Sequence, residues 1–147
     1  MTARWIIATF HLLALPLGLG AIWARSRAFG HLQDAAGLHR VFVADNLWGL
    51  AAMVWLGTGL LRAFGGFEKG TNYYLNAPTF YGKMAVFVVI LLLEVWPMAT
   101  LIRWRIASRR GTAVDTRSAV TLARISQVQA ALVVLMVFLA TALARGL

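Results

Sequence analysis

The chain has 147 residues, 61% of them hydrophobic and only 13% charged, with 14 basic against five acidic side chains and a formal net charge of +9. Ordinary soluble domains carry about 25% charge, so this composition excludes a water-soluble globule and makes lipid the solvent. The basic residues lie between apolar blocks, beside anionic headgroups, and form no separate stripe interleaved with aromatics, which argues against nucleic acid as a partner.

The first uncharged run, 5–24, has the length of about 20 residues that crosses a ~30 Å hydrocarbon core. Arg4 ahead of it resembles the opening of a signal peptide, but the run is long for such a segment and reads as helix one. Along it His11, Ala14, Gly18, Ala21 and Arg25 recur at three and four residues and share a face nearly free of bulky side chains. Such a face admits either another helix, with His11 hydrogen-bonding across the seam, or a flat cofactor with His11 as a metal ligand. His31 and His39 follow in loop one, too isolated from other ligands for a metal site.

The run 41–61 forms helix two, with Asp45 and Asn46 near its start. The connection 62–83 combines glycine turns, tyrosines and cations, and its Arg62 and Lys83 suit an anionic group such as a carboxylate or phosphate. Its Gly65-Gly66 pair is no phosphate loop, since no GK[ST] follows.

Helix three is the run 84–102, with Glu94 near its middle and Pro97 one turn later. A carboxylate at that depth costs several kcal/mol unless neutralised or paired, so Glu94 is expected to be neutral or bound to a cation such as Arg103 or Lys83. Lys83 shares its helical face some ~16 Å away. Helix four, 125–144, carries Gln127 and Gln129 in its first turns. Asp45, Asn46, Gln127 and Gln129 are expected to gather with Glu94 in an inner polar cluster, as structural glue or as a proton path.

The elements make one all-α domain, an integral membrane four-helix bundle; the alternating pattern of barrel strands is absent. Loops one and three share a side and hold nine arginines, against Arg4, Arg62, Lys69, Lys83 and Arg145 on the other. Because basic residues near span ends resist translocation, loops one and three are expected in the cytoplasm of a bacterium and both termini in the periplasm, across the inner membrane. Trp5, Trp23, Trp48, Trp104, Tyr73, Tyr74 and Tyr81 fall near the span boundaries, as an aromatic belt would.

Phe10-His11 in helix one, an arginine past its end and a lysine opening helix three resemble the membrane-bound, haem-containing protoporphyrinogen oxidase family. Its pattern falls here on His11, Gly18 or Gly20, Arg27 and Lys83. The chain departs from it at Ala44-Asp45-Asn46, where that family tends to have proline, and at Glu94, which stands near the place of its helix-three histidine. Over the whole chain, Asp45-Asn46-Leu47-Trp48-Gly49, the segment from Arg62 to Gly70 and Leu93-Glu94-Val95-Trp96-Pro97-Met98 resemble a bacterial family of uncharacterised four-helix predicted membrane proteins.

The first resemblance implies haem b and a membrane oxidoreductase or tetrapyrrole role. His11 would be an axial ligand, Arg62 and Lys83 would pair with the propionates, Arg27 would complete the pocket, and Glu94 and Asp45 would pass protons. Bis-histidine ligation would need a homodimer; otherwise Met53, Met84, Met98, Met136 or an open position completes the iron. Two other classes compete: a non-catalytic helix-bundle subunit of a larger membrane complex, and a small proton-coupled carrier using Glu94, which would need to oligomerise to enclose a path.

Overall fold

A computed structural model describes residues 2–66 and 71–146. Four long helices, α1 (Thr2–Ala28), α2 (Ala35–Phe64), α4 (Pro78–Arg109) and α5 (Ala119–Arg145), are each long and apolar enough to cross a membrane, and the five-residue α3 (Thr71–Leu75) precedes α4. No strand occurs among the described residues. Each apolar run read from the sequence lies inside one long helix, but the helices run past its ends. Charge marks where the hydrocarbon stops, whereas a helix continues until its backbone groups are capped.

Those caps are visible. Asp34 accepts a 2.7 Å hydrogen bond from the Gly37 backbone N–H and starts α2. Gly37 is confined to glycine by a close approach: a Cβ there would overlap the His31 carbonyl oxygen. Pro78 opens α4, where its missing N–H costs nothing. Gly146, with φ 77°, closes α5 in the left-handed conformation.

The tightest packing joins α1 to α2, through the small-residue face expected from the sequence: Ala14, Gly18 and Ala21 are buried. A Cβ on Gly18 would sit 3.3 Å from the Ala51 Cβ, so this face is a helix-packing seam. α5 lies against both α1 and α4, while α2 and α4 approach each other chiefly through side chains. A central core of Ile22, Trp48, Ile90, Val133 and Met136 is continued toward the α1–α2 turn by Phe29, Val41, Leu101, Trp104 and Leu122. The aromatic belt is corrected here. Trp5, Trp23 and Tyr81 are exposed to the surroundings, but Trp48 and Trp104 are buried core residues, because they sit on the inward faces of α2 and α4.

Candidate functional site: a charge network inside the bundle

Arg25 is fully buried three residues before the end of α1. Its inward position follows from the seam: it is the next residue on the face that seats Ala14, Gly18 and Ala21 against α2. A guanidinium has five N–H donors in a fixed plane, and here every one is used. Nε donates to the Ser126 hydroxyl at 3.2 Å. Nη1 donates to Asp45 Oδ1 and to Glu94 Oε1, both at 2.7 Å. Nη2 donates to Glu94 Oε2 and to Gln129 Oε1, both at 2.9 Å. One side chain of α1 therefore joins α2, α4 and α5.

The acceptors are held in turn. Gln129 Nε2 donates to Glu94 Oε2 at 2.8 Å and to the Ile90 carbonyl at 3.2 Å, fixing the carboxylate plane and the amide orientation together. Ser126 donates to the Leu122 carbonyl at 3.0 Å. Asp45 Oδ2 accepts from Arg105 at 2.9 Å; the same guanidinium donates to Asn46 Oδ1 at 2.8 Å and stacks over Phe42, 5.0 Å from the ring centroid. Glu94, Arg25, Asp45 and Arg105 thus form a chain of alternating sign with no net charge. Among the described residues no buried side-chain polar atom lacks a hydrogen-bond partner.

The expected polar cluster is therefore present around Glu94, Asp45 and Gln129, and four expectations are corrected. Gln127 is exposed on the far side of α5, and Asn46 attaches to Arg105 at the edge. The cation on Glu94 is Arg25, whereas Lys83 stands a helical distance of about 16 Å away and Arg103 donates to Thr100 and to the Ala99 carbonyl. Arg27, expected to complete a cofactor pocket, is exposed, because the inward position belongs to Arg25 two residues earlier. Arg105 was countable in the sequence only as a loop-flanking arginine, and Arg25 was counted with it. The one pointer to Arg25 was its register with His11 and the small residues of α1.

His11 lies toward the other end of the bundle. Thr58 donates its hydroxyl hydrogen to the Val54 carbonyl at 2.6 Å, so its oxygen accepts from His11 Nδ1 at 2.9 Å. The Trp55 indole N–H then donates to His11 Nε2 at 3.1 Å. The pattern assigns a neutral imidazole protonated on Nδ1, with its other lone pair occupied. Arg62 near the end of α2 and Lys83 near the start of α4 lie toward the same end of the bundle as His11, well apart from Arg27. Lys69 and the rest of 67–70 lie outside the described residues.

A family model described as a predicted membrane protein, DUF2214, matches residues 3–147. The chain belongs to that family. Membership in DUF2214 accounts for the membrane character and the four spans, and it carries no activity with it. No curated protein and no solved structure matches the sequence. For a DUF2214 protein the haem expectation has to stand on its own residues, and an iron at His11 would have to displace a hydrogen bond. The Nε2 lone pair that would meet iron accepts the Trp55 N–H.

Proposed function

We propose that this multi-pass membrane protein is a proton-linked carrier of a bacterial inner membrane, with Glu94 and Asp45 as its proton sites and Arg25 as their shared counter-ion. One observation carries the reading. Arg25 Nη1 lies 2.7 Å from carboxylates on two different helices, α2 and α4, whose mutual seam is otherwise thinly packed. Arginine does not deprotonate in proteins, so a proton entering this network goes onto a carboxylate. A protonated Glu94 loses much of its hold on Arg25 and loosens α4 from α1. A protonated Asp45 weakens both Arg25 and Arg105, the links that tie α2 to α4. Charge state thereby selects which seam opens. An ion-pair network of this kind contributes less stability than well-packed apolar residues would, which favours a role beyond packing.

The inner-membrane orientation, with the α1–α2 and α4–α5 turns in the cytoplasm, rests on the excess of basic residues on that side. The chain contains no cysteine, so spin labels at Ala36→Cys and Ser108→Cys report the separation of α2 and α4 cleanly. The separation should grow on acidification, and Asp45→Asn should hold it wide at neutral pH. In vesicles enclosing a pH dye, a potassium diffusion potential should drive proton entry that Glu94→Gln abolishes. A separation insensitive to pH and to Asp45→Asn, with proton entry no faster than in protein-free vesicles, would overturn the proposal. The haem-linked redox reading makes a different demand: a Soret band in protein expressed with ample haem, lost in His11→Ala.

A further inference from the structure

On the outer side of the α1/α2 pair the helices part into a groove of about 930 Å³, open to the surroundings. Along α1 it is lined by Pro16, Gly20 and Ala24, and Gly20 has open space where a Cβ would stand. Its mouth is formed by Arg27, His39 and Arg40, all exposed. Neither Arg27 nor Arg40 is in an ion pair among the described residues, unlike Arg25 and Arg105. The groove therefore joins an apolar channel to a pair of uncompensated guanidinium groups.

We infer that this groove seats an anionic phospholipid, its phosphate held at the mouth by Arg27 and Arg40 and an acyl chain laid along Ala24 and Gly20 toward Pro16. Length supports a lipid over a partner helix. From Arg27 to Pro16 is eleven residues, about 16 Å of rise, or roughly one leaflet of a ~30 Å hydrocarbon core. A transmembrane partner would need a groove running the full thickness, and it would have to cover the two arginines at the mouth. A lipid of the adjoining leaflet ends where the groove ends and brings the complementary charge. Arginine suits this headgroup because its planar fork binds phosphate oxygens two at a time.

Native mass spectrometry of the detergent-purified protein, mixed with equal amounts of phosphatidylglycerol and phosphatidylcholine, tests the inference. Phosphatidylglycerol adducts should dominate, and Arg27→Gln with Arg40→Gln should lower their preference by about fivefold per arginine. Both side chains are exposed and unpaired, so this variant leaves the bundle intact. Arg109→Gln with Arg110→Gln, on the same membrane side but outside the groove, should leave the preference unchanged. Gly20→Leu, which fills the channel and keeps the charges, should reduce adducts of both lipids. Equal loss in the Arg109/Arg110 variant would make the attraction a general surface effect and overturn the site. Displacement of the lipid by inorganic phosphate at comparable concentration would show that the headgroup contact alone suffices, and would overturn the acyl channel.

Discussion

Every donor of Arg25 is engaged, so a substitution there leaves Glu94 without a cation and Asp45 with Arg105 alone, in a medium that hydrates charge poorly. Removing one partner of a buried ion pair costs about 3–5 kcal/mol, and Arg25→Met should destabilise the bundle by that order in detergent unfolding. Adding Glu94→Gln and Asp45→Asn should restore most of the loss, since the stranded charges go with it; no recovery would mean that Arg25 acts through packing alone. Glu94, Asp45 and Gln129 were legible in the sequence because polar groups inside apolar runs have few reasons to be there. Arg25 was not, because it stands one residue beyond a charge-free run, where an arginine is expected to reach outward to headgroups. Which way its long side chain turns depends on acids 20 and 69 residues away, a fact of tertiary structure. His11 shows the converse. Its depth invited a ligand role, but the groups that occupy its nitrogens, Trp55 and Thr58, look like ordinary α2 residues until α1 and α2 are paired.

Among the elements, the α1/α2 hairpin sets the alignment of everything else. Gly18→Leu would drive a branched side chain into Ala51 and Trp48. Overpacking of this kind costs about 1–3 kcal/mol, and here it should also widen the α1/α2 spacing and move Arg25 away from Asp45, which cross-linking between the two helices would register. At the turn, Asp34→Ala removes the N-cap of α2 and should cost about 1 kcal/mol. Gly37→Ala should cost more, because its methyl group meets the His31 carbonyl and the turn must rebuild. If Gly37→Ala melts with the wild type, the turn is looser than its geometry implies. The existence and order of the four long helices were readable from apolar run length; the short α3 and the helix ends were not, since the ends are set by caps such as Asp34 and Gly146 rather than by hydropathy.

At the scale of the molecule, the burial of Arg25 and the pairing of Arg105 change the count on which orientation rests. Of the nine arginines assigned to the side of loops one and three, these two are neutralised inside the bundle, leaving seven against five. The bias keeps its sign with a narrower margin. A cysteine at Asp115 should resist an impermeant reagent in intact cells while one at Asn76 reacts; the reverse pattern would invert the assignment. Replacing the exposed Asn72 and Asn76 by lysine should produce a mixed population, because a margin of two is then erased.

The alternating chain Glu94, Arg25, Asp45, Arg105 also divides evenly between the two hairpins. Arg25 and Asp45 belong to α1 and α2, while Glu94 and Arg105 both belong to α4. Each half of the newly made polypeptide thus enters lipid carrying one buried positive and one buried negative group. The first hairpin can lodge in the bilayer with its arginine already compensated while the second is still being synthesised. The second half is neutral only in sum, since Glu94 stands about 16 Å along α4 from Arg105, and its carboxylate gains a cation only when the two halves meet and the four-way junction closes.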